Sequence, residues 1–172
     1  MDYLLMIKAV FFDRDGVLIK NYNYNCDINK IKWLKGAIKA IRLLNSKKIK
    51  VIVVTNQSGI GRGYFSEYDL KKFHITMNKN LKKKFSKIDK FYYCPYHPTA
   101  SIKKYRKVSN YRKPGNGMII QALKDFNLDR TKCFMIGDQK SDFLSAKKSK
   151  IRFQYKKSYS LNIQIKNILN NH

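Results

Sequence analysis

Acid is scarce in this chain: 11 Asp and Glu stand against 37 Lys and Arg, for a formal charge of +26 over 172 residues. An acidic pair is therefore not background, yet FFDRDGVLI, residues 11–19, sets Asp13 and Asp15 one residue apart at the end of an apolar run. Cysteine is also scarce. Cys26, Cys94 and Cys133 are odd in number and widely spaced, which argues against a disulfide framework and for a reducing, cytoplasmic compartment. Long apolar runs are missing: AVFF and VIVV are strand-sized, far below the ~20 residues of a membrane span. The start, MDYLLMIK, carries an acid early and lacks a basic region and a small-residue cleavage site, so no signal peptide is expected.

The length fits one domain over residues 1–172, able to bury roughly two thirds of its unfolded surface without staples. So large a positive charge invites a nucleic-acid reading, since clustered Lys and Arg displace counterions from phosphate backbones. The excess is mostly Lys, spread along the chain among abundant Asn and Ile, and a solvated lysine-rich surface is the favoured account.

Apolar periodicity alternates between two kinds of segment. IKAVFFD (7–13), KVIVVTN (50–56), IDKFYYC (88–94), CFMIGD (133–138) and IRFQY (151–155) read as strands, the first and second apolar on both faces as buried parallel strands are. GAIKAIRLLNSKK (36–48), NGMIIQALKDFN (116–127), SDFLSAKKSK (141–150) and LNIQIKNIL (161–169) read as helices. A longer helix starts at Ser66, with Leu70, Phe73, Met77, Leu81 and Phe85 on its apolar stripe. This alternation predicts an α/β fold with a doubly wound, mainly parallel sheet and its ligand site beyond the strands' carboxyl ends. Residues 95–116 form a long excursion with little periodicity, of the kind that is usually functional.

Three strands end in polar clusters, at Asp13, Thr55 and Asp138, which the architecture brings to one rim. Asp13 and Asp138 would repel there unless a cation sat between them, and a hard divalent ion with oxygen ligands and water suits Mg²⁺. Asp15, on a turn eased by Gly16, stands where it could face a leaving group.

Taken in order, DRDGV, VVTNQSG, RKP and MIGDQKSD resemble the four motifs of the haloacid dehalogenase superfamily of phosphohydrolases. FFDRDGVLI, VVTNQSGIGRGYFSE, YYCPYHP, YRKP and IGD are closer still to its small heptose-bisphosphate and histidinol-phosphate phosphatases, over roughly residues 7 to 150. The resemblance implies a Rossmannoid domain without a separate cap; a monomer is expected, although the sequence itself does not show the oligomeric state. The resemblance also implies hydrolysis of a small sugar phosphate, the 7-phosphate of D-glycero-D-manno-heptose 1,7-bisphosphate, in surface polysaccharide synthesis. Asp13 would attack phosphorus to form an aspartyl-phosphate, and Asp15 would act as general acid and then base. Asp13, Asp138 and the Asp15 carbonyl would hold Mg²⁺, while Thr55 and Lys113 would hold the phosphoryl oxygens. Asn56, Gln57, Ser58, Gly59 and Arg112 match the group's substrate-contacting segments, the last with a planar fork suited to phosphate.

Other residues stay open between readings. Asp142 can support the metal site or face solvent, and Gly59, Gly61 and Gly63 can cradle phosphate or merely form a turn. Trp33 and NYNYN (21–25) are assigned to a flap over the site, with ordinary surface as the competing account. The sequence departs from the resemblance in its long loop. Relatives carry structural zinc on Cys-x-His and Cys-x-Cys, whereas the matching positions here are Cys94, Tyr96, Ser109 and Tyr111, with His97 one residue off register. A closed zinc site needs four N or S donors, so no zinc is expected, and packing of Tyr92, Tyr93, Tyr96, Tyr105 and Tyr111 is expected to order the loop instead. Gln139 replaces a usual Lys. Histidinol-phosphate phosphatase and a polynucleotide 3′-phosphatase, the latter suited to the basic charge, are the alternative activities. A binding protein on a retired catalytic fold is the alternative class.

Overall fold

A computed structural model describes residues 6–171. Five strands, β1 (Ala9–Phe12), β2 (Lys50–Asn56), β3 (Lys90–Cys94), β4 (Cys133–Gly137) and β5 (Arg152–Tyr155), form one sheet in the order β3-β2-β1-β4-β5. All four neighbouring pairs are parallel, so each connection must cross over a face. Helices α1 (Ala37–Ser46), α2 (Glu67–Lys82), α3 (Gly117–Asp125), α4 (Lys140–Ser149) and α5 (Leu161–Asn170) supply the cover.

The strands are apolar throughout because both faces are buried. Val10 and Phe12 of β1 join Val51, Val53 and Ile136 in one layer, covered by Ile41 and Leu44 of α1, Phe73 and Met77 of α2 and Ile165 of α5. Ala9 and Phe11 point the other way, into a layer with Ile52, Val54 and Met135 closed by Met118, Ile119 and Ala122 of α3. Fully burying one such side chain contributes about 1.5–3 kcal/mol. The two layers together fix β1 at the centre.

That central position makes the site. The chain runs outward from β1 to β2 and β3, then returns to place β4 on the opposite side of β1. The carboxyl ends of β1 and β4 therefore flank the point where the winding reverses, the usual place for a ligand crevice in open α/β sheets. The connection from β1 to α1 consists of loop with one short 3-10 turn over Ile28–Lys30, not a cap domain.

Two expectations change. The apolar stripe of α2 stops at Leu81: Phe85 lies beyond the helix at φ 54° and is 87% exposed. Ser86 caps the helix end, donating from both its N–H and its hydroxyl to the Leu81 carbonyl at 3.1 Å, and the reversal this requires leaves Phe85 outside. Trp33 is not part of a flap. It bridges to Ile19 and packs at the edge of the first core layer, an indole being too large and apolar to leave there in water.

Candidate active site

Asp13 follows β1 directly, its N–H donating to the Ile136 carbonyl of β4 at 3.1 Å. Its Oδ1 accepts from the Arg14 N–H at 2.7 Å and faces Lys113 Nζ at 3.0 Å; among the described residues no hydrogen bond reaches Oδ2. Burial raises the Asp13 carboxyl to about 6, opposed by Lys113 and reinforced by the charges of Asp142 and Asp15. Lys113 is 3% exposed and all three of its donors are used, on Asp13, on Asp142 Oδ1 at 2.6 Å and on the Val54 carbonyl at 2.9 Å. Burial alone would lower its pKa, but the two carboxylates outweigh burial and hold it above the ordinary lysine value.

Asp142 settles an open point. It is fully buried, and its Oδ2 accepts the N–H groups of Asp138 at 3.1 Å and Gln139 at 3.0 Å. One carboxylate thus caps α4 and anchors Lys113. Gly137 permits this approach, since a Cβ there would lie 2.3 Å from the Asp142 Cβ.

Asp138, one residue beyond β4, has a pKa raised mainly by burial, and its Oδ1 is buried without a hydrogen-bond partner. Asp13, Asp138 and Asp142 each bring an oxygen to within 4.8 Å of the others. Both Asp142 oxygens are already engaged, so Asp13 and Asp138 are the pair that fits a divalent cation. The orphaned oxygen and the mutual repulsion of the carboxylates favour one there. Gly16, at φ 83°, lets the turn pass this close, because a Cβ would lie 2.2 Å from Asp138 Oδ2.

Asp15 stands across the cleft, accepting from the Arg14 guanidinium and, at 2.9 Å, from Gln57 Nε2, which also donates to Thr55 Oγ1 at 2.9 Å. The cleft has a volume of about 410 Å³, floored by Asp13, Asp15, Thr55 and Asp138. Arg112 and Lys113 wall one side, while Asn21, Asn23, Tyr24 and Asn25 of the expected flap line it as well. Burial is the main reason the half-buried Arg112 has a lowered pKa.

Not every sequence candidate faces the cleft. Asn56 lines it, but its amide is occupied in a reciprocal pair with the Lys113 backbone, at 3.0 Å in each direction, and so holds the lysine loop. Ser58 and Gly59 lie in the turn leading to α2 and do not line the cleft. Gly59 abuts the Phe65 ring and Gly61 the Pro95 carbonyl, which explains these two glycines by packing without a phosphate. Gln139 donates to Asp138 Oδ2 at 3.2 Å. Sequence reasoning missed Arg14, His74 and Glu67, each of which looks locally like surface in a charged chain.

The sequence matches the polynucleotide kinase 3 phosphatase family over residues 8–169. The chain belongs to this family. It is 40% identical over 139 residues to D-glycero-beta-D-manno-heptose-1,7-bisphosphate 7-phosphatase of Rhodopseudomonas palustris, covering 81% of this chain and 77% of that protein. The enzyme of the same name from Escherichia coli K12 is 35% identical over 140 residues, 81% and 73% of the two chains. A HAD-like structure from Mesorhizobium loti superposes with a TM-score of 0.80 at 30% identity, over 85% of this chain and 70% of that one. D,D-heptose 1,7-bisphosphate phosphatase of B. bronchiseptica, solved with magnesium and phosphate, gives 0.78 at 22% identity over 96% and 100%, a likeness of fold.

In this member of the family, the long loop is tied by hydrogen bonds to an acid. Glu67, at the start of α2, accepts from Tyr93 on β3 at 2.6 Å and from Tyr105 in the loop at 2.5 Å. The Tyr105 ring packs 6.2 Å from that of Tyr96, and Arg106 donates to the Ala100 carbonyl at 2.7 Å. Tyr92 and Tyr111 instead bond to α3, through Asp125 and Gln121. His97 is turned to Thr99, whose N–H and hydroxyl meet its Nδ1 at 3.2 and 2.9 Å.

Proposed function

We propose that the protein is a single-domain, monomeric, cytoplasmic Mg²⁺-dependent phosphomonoesterase that releases the 7-phosphate of a heptose 1,7-bisphosphate. The observation that carries this reading is Lys113, clamped between Asp13 and Asp142 beside Asp15 and Asp138 at the ends of β1 and β4. The names of the curated relatives support the substrate class.

Asp13 Oδ2 attacks phosphorus, and the bond to the sugar oxygen breaks as the new Asp13–phosphorus bond forms. Asp15 gives its proton to the departing oxygen. It then takes one from the water that attacks the aspartyl-phosphate, so that inorganic phosphate leaves and both carboxyls return to their starting state. Lys113 and the Thr55 hydroxyl bind phosphoryl oxygens as charge accumulates on them. Mg²⁺ held by Asp13, Asp138 and the Asp15 carbonyl would supply Lewis-acid charge neutralisation. Arg112 suits a second anionic group of the substrate.

Zinc is not required in this reading. Only Cys94 remains of four ligand positions, and the Glu67–tyrosine bonds take over the tethering. A polynucleotide 3′-phosphatase is the second reading, supported by the family's description and the +26 charge.

Phosphate release with Mg²⁺ from D-glycero-D-manno-heptose 1,7-bisphosphate, histidinol phosphate and a 3′-phosphorylated oligonucleotide decides among these, with Asp13→Asn as control. The expected result is a kcat/KM for the heptose at least about tenfold above the others, some 1.4 kcal/mol of transition-state discrimination. Preference for the oligonucleotide, falling steeply with salt, would overturn the sugar reading.

A further inference from the structure

Arg14 has a side chain only 1% exposed, in a chain whose other cations mostly reach water. A buried guanidinium is costly unless its donors are paired, and here they are. Nε and Nη2 meet both oxygens of Asp15 at 2.9–3.2 Å, and Nη1 meets His74 Nε2 at 3.2 Å. The guanidinium also lies 4.7 Å from the centre of the Phe73 ring.

His74 is shaped to hold that arginine. It sits on α2, 7% exposed, with its ring stacked on Phe91 at 4.1 Å and 11° and edge-on to Phe73. An arginine N–H can only donate, so Nε2 is the acceptor and the ring is neutral. Burial first, and the Arg14 charge second, push its pKa down to about 2.

We propose that Arg14, braced by His74 and Phe73, is a positioning residue that fixes the Asp15 carboxyl on the leaving-group side of the cleft. The inference rests on the reading of Asp15 as general acid and base. Asp15 lies beyond the end of β1, 25% exposed, and its side chain's hydrogen-bond partners among the described residues are Arg14 and Gln57. A proton donor must stay within hydrogen-bond reach of the departing oxygen, and misplacement by about 1 Å can cost ~10²-fold. Arg14 grips the carboxyl from behind, and Gln57 from the Thr55 side. Oδ2 receives Gln57 as well as Arg14, leaving Oδ1 the less crowded oxygen to carry the proton for the leaving group. Arg14 borders the cleft but is not itself a phosphate ligand, since its side chain is only 1% exposed and its Nε, Nη1 and Nη2 are paired with Asp15 and His74.

The test compares kcat/KM, which reports the first chemical step, for 4-nitrophenyl phosphate and for an alkyl phosphate in the full-length protein. A nitrophenolate leaves with little protonation; an alkoxide needs the acid. For Arg14→Met and His74→Leu the expected loss is roughly 10²-fold on the alkyl ester and under about fivefold on the aryl ester, within the range of general acid catalysis. His74→Gln keeps an acceptor for Nη1 and is expected to retain most alkyl activity. His74→Leu fills its apolar site, so it remains informative if Arg14→Met does not fold. Equal losses on both esters, or none on either, would overturn the role of Arg14. If Asp15→Asn itself showed no ester selectivity while Asp13→Asn was inactive, the reading of Asp15 would fail, and this proposal with it.

Discussion

Replacing Glu67 by Gln keeps the side chain's length and removes its charge, which isolates the tether that holds the long loop to α2 and β3. The two tyrosine hydroxyls that Glu67 accepts lower its pKa, Tyr105 first and Tyr93 second, with Lys104 adding a little at 3.9 Å and burial opposing. A hydrogen bond to a charged group contributes about 1.5–3 kcal/mol when buried. Glu67 is 40% exposed, so screening by water cuts this to roughly 1 kcal/mol for each bond. Gln retains one acceptor oxygen and no charge, for a loss of about 1–1.5 kcal/mol, or about 3–4 °C in Tm for a chain of this length. The measurements are urea unfolding of Glu67→Gln, Tyr105→Phe and the double variant, with hydrogen exchange across residues 95–114. Coupling between the two substitutions is expected near 1 kcal/mol, as for residues in direct contact, with faster exchange confined to the loop. Because the folded pKa is depressed, this stabilisation is full above the ordinary glutamate value of 4.5 and fades as pH falls through the folded value. Strictly additive substitutions, or a Tm lowered by a zinc chelator with Mg²⁺ restored, would refute the Glu67 tether as what holds the loop.

Lys113→Met leaves two buried carboxylates facing each other, so it should destabilise the protein by about 3–5 kcal/mol in chemical denaturation, as well as abolish phosphate release. Without metal, Asp13 is raised from 3.8 to about 6, so the folded state holds more protons than the unfolded one between those values, and stability falls as pH rises across that window. Mg²⁺ binds the ionised carboxylates, so its shift in Tm should be larger at pH 7 than at pH 5, checked by calorimetry. Gly16→Ala puts a Cβ against Asp138 at a φ of 83°. It should cost about 1–2 kcal/mol in backbone strain alone and reduce the Tm shift given by Mg²⁺.

The fold was legible because buried parallel strands need apolar residues on both faces, and β1, β2 and β4 state that openly. Asp13, Thr55 and Asp138 were legible for the same reason, as the first polar residues where those runs end. Asp142 was not, because a carboxylate four residues after Asp138 suits a helix cap or a surface equally well; only tertiary structure brings Lys113 to it, with Gly137 making room. Arg14 and His74 were hidden by composition. One more basic residue carries no signal in a chain of 37, and the pairing of the two spans 60 positions. Phe85 was misplaced because apolar periodicity reports what a segment can bury and not where the chain turns, and Trp33 because only the fold shows its bridge to Ile19 at the edge of the core.

Scarcity of acid gives these placements their meaning. Surface carboxylates in so basic a protein could serve only to offset charge, yet the described ones have definite donors. Asp27 and Asp129 cap 3-10 turns and Asp69 caps α2. Asp89 accepts from Val51 at the start of β2, Asp125 from Tyr92, and Glu67 from two tyrosines. The remaining four, Asp13, Asp15, Asp138 and Asp142, gather at the ends of β1 and β4, where their repulsion is opposed by two buried cations, Lys113 and Arg14. These cations divide the cluster: Lys113 joins Asp13 to Asp142 on the phosphoryl side, and Arg14 holds Asp15 on the other. Asp138 is left with a buried, unpartnered oxygen. The positive field of the whole chain draws anions toward a cleft whose floor still lacks charge compensation at Asp138, and a divalent cation beside that residue reconciles an acidic floor with an anionic phosphate ester.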